Sequence, residues 1–182
     1  THRNEVADAW SLAANSVLDE DSVLFAALPL FHVNALIVTL LTPLFRGQSA
    51  IWAGPAGYRD FTLYAEIWNI VEHYRISTMS AVPTVYAVLA NCPVNADISS
   101  MKFAMVGASA LPSGVRTAFE GATGIRLIEG YGLTEAACAT ARGFLKDHQD
   151  DALGQRMPYQ GVKAVRVNAD GSWDDLPSGD VG

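Results

Sequence analysis

The 182-residue chain predicts an α/β fold, a mostly parallel sheet flanked by helices with a β-rich C-terminal tail. Three observations carry this. Short apolar runs such as "SVLFAAL" and "ISTMSA" alternate with helical segments of ten or so residues, the pattern of strands joined by crossover helices. Residues 23–45 are apolar almost throughout, as expected where both a strand and the following helix are buried. After Gly154 the pattern changes to short β segments around Asp170-Gly171, a hairpin-turn signal.

The elements follow in order. Val6, Trp10, Ala13, Ala14 and Val17 recur near helical spacing and predict an amphipathic helix over 4–18 with those residues on its apolar face. "SVLFAAL" reads as a strand and "VNALIVTLLTPLF" as a buried helix stopped by Pro43. Pro29, His32, Asn34 and Pro43 interrupt this stretch, which argues against a membrane span. "QSAIWAG" is a further short strand. Asp60 is placed to cap the next helix, whose apolar face holds Tyr64, Ile67, Trp68, Val71 and Tyr74. Pro83 suits the first turn of a helix after "ISTMSA", because its missing N–H costs little there. "MKFAMVGASALP" is a strand and a small-residue loop, "PSGVRTAFEGATG" a helix closed by Gly124, and "IRLIEGY" a strand.

Composition narrows the function. Twelve basic against nineteen acidic residues give a net charge of −7, and the basic residues are scattered, which disfavours a nucleic-acid partner. Cys92 and Cys138 make neither a disulfide framework nor a CxxC site, and read as small buried residues of a reducing compartment. A cytoplasmic location is therefore expected, since "THRNEVADAW" also lacks the basic-then-apolar order of a secretory signal. His2, His32, His73 and His148 are too widely spaced for a local zinc motif.

In such a fold, ligands bind in loops at the carboxyl ends of strands. "GASALP" at 107–112 offers small residues against which a flat ligand can lie, or simply a tight strand-to-helix link. "GYGLTEA" at 130–136 offers the Thr134 hydroxyl and backbone N–H groups to phosphate, and the Glu135 carboxylate to a hard cation. Tyr131 suits either stacking on a purine or filling core space. His32, in "PLFHVNAL", follows another strand end and suits either an edge hydrogen bond or the wall of an acyl-sized pocket.

Taken together, "PLFHVNAL", "VPTVYAVL", "VGASALP", "EGYGLTEA", "ALGQRMPYQGVKAVRV" and "DLPSGDVG" occur in the order found in the ANL adenylate-forming enzymes. The chain resembles that family over essentially its whole length, and "PLFHVNAL" resembles the acyl-CoA synthetases in particular. The resemblance implies activation of a carboxylic acid by ATP with Mg²⁺ to an acyl-adenylate, followed by transfer to CoA. It implies that Gly107, Ala108, Ser109 and Ala110 wall one face of adenine. Gly130 and Tyr131 would lie against its other side, Thr134 would bond to phosphate and Glu135 would ligate Mg²⁺. His32 would flank the substrate carboxylate, with Val82, Pro83 and Thr84 near its acyl side.

The resemblance also sets expectations for organisation. "THRN" resembles the segment that follows the family's phosphate loop, and "SGDVG" resembles a structural segment rather than the ribose-binding one, which makes Asp180 a poor ribose ligand. Residues 1–182 are accordingly expected to be a single α/β piece of the large N-terminal domain. The phosphate loop would lie before it, and the ribose aspartate, hinge and lysine-bearing C-terminal domain after it. Alone, such a piece is expected to be inactive and to have sheet edges open to self-association. The alternatives are a non-catalytic homologue that serves in binding or assembly, a luciferase-like enzyme, and a peptide-synthetase adenylation domain.

Overall fold

The computed structural model describes residues 1–145 and 152–177. His148 and Asp180 lie outside the described residues. A seven-stranded sheet in the order β2-β1-β3-β4-β5-β6-β7 is built from Val23–Ala26 (β1), Ser49–Trp52 (β2), Ile76–Ala81 (β3), Ala104–Val106 (β4), Leu127–Gly132 (β5), Ala139–Arg142 (β6) and Gln155–Arg156 (β7). Strands β1 to β5 pair in parallel, while β6 and β7 add antiparallel. A separate hairpin pairs Val165–Val167 (β8) with Trp173–Asp175 (β9), and Gly171 takes φ +83° in its turn. The predicted α/β class with a β-rich tail is what forms.

Helices cover both faces of the sheet. Successive side chains of one strand point opposite ways, and Phe25 and Leu127 enter one core while their neighbours Leu24 and Ile128 enter another. The larger core receives Ile67, Trp68 and Val71 from α3 (Thr62–Tyr74), Val85, Tyr86 and Leu89 from α4 (Pro83–Leu89), and Phe119 from α5 (Ser113–Thr123). Each such large apolar side chain contributes about 1.5–3 kcal/mol by leaving water. Tyr86 is also anchored by its hydroxyl, which donates to the Met105 carbonyl at 2.6 Å, and by an edge contact with the Phe119 ring. Gly124 closes α5 in the left-handed conformation at φ +72°, as its position after "FEGAT" predicts.

Three elements differ from expectation. Helix α1 spans His2–Ala14 and buries Asp8, Ala9, Ser11, Leu12 and Ala13, whereas Val6, Trp10 and Val17 are exposed. The buried face is therefore rotated from the predicted one, because two polar side chains are drawn inward. The helix stops where the Arg46 guanidinium donates to the carbonyls of Ala13 (3.0 Å) and Leu18 (2.6 Å). Second, Pro43 does not stop its helix. A π-helical segment, Asn34–Leu41, passes into α2 (Thr42–Arg46), and the end comes at Gly47 with φ +65°. The Thr42 hydroxyl donates five residues back, to the Ile37 carbonyl at 2.8 Å. This wider register relieves the clash a proline ring makes in an α-helix interior.

Third, the α3 face ends short of Tyr74, which is exposed, while Leu63 is buried in its stead. Asp60 serves at the start of α3 from one residue further out than a cap, accepting from the Thr62 amide and hydroxyl. Cys138 is buried as expected, but Cys92 is only half-buried. No described helix is long and apolar enough to cross a membrane.

Candidate functional site

Every sequence-selected segment emerges from the same edge of the sheet. Parallel β1, β3, β4 and β5 end at Ala26, Ala81, Val106 and Gly132, so the segments holding His32, Val82–Thr84, Gly107–Ala110 and Thr134–Glu135 follow their carboxyl ends. This is where an open α/β sheet binds ligands.

The two central loops sit side by side. Val106 pairs with Glu129 across β4 and β5. Gly107 then packs on the Gly130 carbonyl so closely that an added Cβ would lie 3.1 Å from that oxygen. Ala108, Ser109 and Ala110 are exposed, and Ala108 takes φ +71°. A left-handed alanine costs about 1–2 kcal/mol, so the loop is held rather than relaxed. Part of the hold comes from Glu129. Its carboxylate accepts from the Leu111 amide at 3.3 Å and pairs with the Arg116 guanidinium at 2.8 Å. Arg116 also donates to the Leu127 carbonyl at 2.7 Å and bonds Glu120 at 3.3 Å. The end of the loop is thereby tied to β5 and to the first turns of α5.

Beyond β5 the chain does not enter a helix. Strand β5 continues through Gly130, Tyr131 and Gly132, makes one 3-10 turn at Thr134–Ala136, and returns as antiparallel β6. Gly132 is required there, since a Cβ would fall 1.6 Å from the Cys138 carbonyl oxygen. Tyr131 is 46% exposed, so its ring is a surface feature and not core filling. Thr134 and Glu135 are both exposed on the turn. Ala137 closes it at φ +72° and ψ −58°, a rare and strained γ-turn conformation. Buried Cys138 has its thiol pushed up to about 12 by burial and then by the Asp8 charge, which leaves no thiolate for nucleophilic work.

Val82 and Thr84 line a cavity of about 330 Å³ with Ala27, Pro29, Tyr58 and Tyr64. His32 and the buried Pro83 are not among its lining residues. His32 is exposed at the head of the π-helical segment, its ring 4.6 Å from that of Phe31. The neighbouring Asn34 accepts from the Ser80 hydroxyl at 2.9 Å, which ties this segment to the end of β3.

Among the described residues no three His, Cys, Asp or Glu side chains gather as a metal cluster. Glu135 is thus a single exposed carboxylate beside a hydroxyl. That donor set suits Mg²⁺, which takes one or two carboxylates and fills its octahedron with water and phosphate oxygens. It does not suit a closed zinc centre.

Sequence reasoning passed over Glu129, Arg116 and Asp8. Glu129 was visible only as the residue before "GYG". Arg116 and Asp8 sit on helices, where charged residues ordinarily mark a solvated face.

Fold and site define an α/β domain whose ligand loops converge on the carboxyl edge of a parallel sheet. The chain belongs to the AMP-binding enzyme family, whose model matches residues 1–182, within the ANL adenylate-forming superfamily, and it is similar to acyl-CoA ligases. It is 37% identical over 178 residues to the marinolic acid–CoA ligase of Pseudoalteromonas sp. (strain SANK 73390), covering 94% of this chain and 27% of that one. It is 30% identical over 182 residues to the sulfoacetate–CoA ligase of Cupriavidus necator, covering all of this chain and 34% of the relative. The crystal structure of ATP-bound MatB from Rhodopseudomonas palustris has the same fold, with a TM-score of 0.79 at 24% identity, covering 99% of this chain and 34% of that one. The chain spans about a third of the length of the curated relatives it matches.

Proposed function

We propose that the protein is an ATP-dependent acid–CoA ligase. As the chain spans only part of its relatives, the activity is assigned to the protein as a whole, with residues 1–182 as a single α/β piece of its large N-terminal domain. The observation that carries the reading is the close packing of Gly107, at the head of the Gly107–Ala110 loop, on Gly130, in the segment that leads to Thr134–Glu135, at the carboxyl edge of β4 and β5. Both curated relatives bear the names of CoA ligases.

In this reading the small residues Gly107 to Ala110 form a flat wall for adenine, and the exposed Tyr131 ring lies against its other side, next to Gly130. The Thr134 hydroxyl donates to a phosphate oxygen, and Glu135 holds Mg²⁺, which neutralises phosphate charge when bound. A carboxylate oxygen of the acid attacks the α-phosphorus, pyrophosphate leaves, and an acyl-adenylate forms. The CoA thiol then attacks the acyl carbonyl and AMP leaves. His32 flanks the acid's carboxylate, and Val82 and Thr84, which line the cavity of about 330 Å³, lie toward its acyl side. Positioning and electrostatic complementarity supply the rate, because no side chain here need become covalently bound.

The test is to incubate the whole protein with ATP, magnesium, CoA and a panel of carboxylic acids, and to follow AMP and acyl-CoA by mass spectrometry. Formation of both with at least one acid supports the reading. Acyl-adenylate without acyl-CoA would keep adenylation but remove CoA as the acceptor.

A further inference from the structure

We propose that Asp8 is a positioning residue that holds the Thr134–Glu135 turn in its working shape from α1, through its bond to the first residue of β6. This deepens the function proposed above and rests on it. Asp8 lies on α1, 131 residues away in sequence, and is 3% exposed. Its Oδ2 accepts the Ala139 amide at 2.7 Å. Oδ1 is buried and unpartnered among the described residues.

Strain explains why such an anchor is needed. Ala137 is held in a conformation that persists only where its surroundings over-determine it. The turn's own support is slight: the Ala136 amide donates to the Leu133 carbonyl and the Ala137 amide to the Thr134 carbonyl, each at 3.1 Å. Thr134 and Glu135 themselves are exposed. Two side chains grip the chain on either side of the strained residue. The Gln160 amide donates to the Ala136 carbonyl at 3.3 Å, and Asp8 takes the Ala139 amide just beyond. Ala9, Leu12, Ile37, Cys138 and Met157 pack in one cluster around this point, which fixes α1 and hence the carboxylate. Were Asp8 lost, the Ala139 amide would lose its acceptor, and Ala137 would relax toward an ordinary conformation. Thr134 and Glu135 would move with it.

The experiment compares wild-type whole protein with Asp8→Ala, Asp8→Asn and the double variant Asp8→Ala/Ala137→Gly. It reads amide hydrogen exchange over 134–139, melting temperature, and the magnesium dependence of acid-dependent ATP–pyrophosphate exchange. In Asp8→Ala, amide exchange over 134–139 speeds up about tenfold and half-saturating magnesium rises by a similar factor, the scale set by loss of one hydrogen bond to a charged group. The KM for the acid stays as it was. Asp8→Asn keeps an acceptor oxygen for the Ala139 amide and stays close to wild type. The double variant recovers part of the magnesium response, because glycine adopts the turn conformation without strain.

Unchanged amide protection in a folded Asp8→Ala variant overturns the proposal, as does an equal loss in Asp8→Asn with no recovery in the double variant. If Asp8→Ala does not fold, Asp8→Ser replaces it, its hydroxyl being too short to reach the amide, with the same expected and contrary results. A wild-type protein without pyrophosphate exchange removes the adenylation reading, while amide protection over 134–139 still decides the role of Asp8.

Discussion

Arg116 on α5 and Glu129 on β5 meet at 2.8 Å with their side chains only 14% and 18% exposed, and through this pair the Gly107–Leu111 loop is bonded to the strand beside it. Removing one partner strands the other charge in a largely dry place. Arg116→Ala is expected to lower stability by about 1.5–3 kcal/mol, the range of a hydrogen bond to a charged group. It should also raise the KM for ATP more than it lowers kcat, since the loop holds the nucleotide in the proposed function. Chemical denaturation and steady-state kinetics read the two effects, and an unchanged midpoint would mean that the pair contributes nothing to the fold.

Gly132 and Gly107 make a graded pair. An added Cβ overlaps backbone outright at Gly132, 1.6 Å from the Cys138 oxygen, but only presses on the Gly130 carbonyl at Gly107. Gly132→Ala should therefore forbid the β5–β6 hairpin as it stands and cost several kcal/mol, roughly the scale of the worst single substitutions. Gly107→Ala should cost about 1–2 kcal/mol, as other overpacked contacts do. Denaturation midpoints that place Gly107→Ala below Gly132→Ala would contradict this packing.

Asp8 gives the protein a pH signature. Burial raises its carboxyl from the ordinary value of 3.8 to about 6, against the lowering effect of the Ala139 and Cys138 amides. A carboxyl whose folded pKa is raised binds its proton more tightly in the native state. Its contribution to stability is therefore fully present below about pH 3.8 and is lost as pH rises through about 6. Asp8→Asn cannot titrate, so its stability relative to wild type should improve across that window. Melting curves of both proteins between pH 4 and 7 would show it, and parallel curves would refute it.

Glu135 is exposed on its turn, so Glu135→Gln should leave stability within about 0.5 kcal/mol of wild type. In the proposed function it weakens the metal ligand while nearly preserving shape. Adenylation should fall most at limiting magnesium and recover in part at high magnesium. Equal rates at limiting magnesium would remove Glu135 from the metal site.

Much of this was legible in the chain. Strand β3 forms over the "ISTMSA" run, Gly124 ends α5 and Asp170-Gly171 turns the last hairpin, because each rests on a local rule of burial or φ. The loops at Gly107 and Thr134 were found for a similar reason: strand ends are readable. What escaped depended on distant partners. The buried face of α1 is not readable locally because Asp8 and Ser11 are buried in place of Val6 and Trp10, and Asp8's partner Ala139 is 131 residues away. The return of the chain at Ala137 as β6 was unread because alanine carries no turn signal. At Pro43 nothing local announces the π-helical register that lets the helix run on to Gly47.

The most direct test of the central claim is acid-dependent exchange of pyrophosphate into ATP by the whole folded protein. Exchange should require magnesium, appear with at least one acid of a broad panel, and fall sharply in Glu135→Gln. Exchange with no acid of the panel, from protein that melts cooperatively, would contradict it.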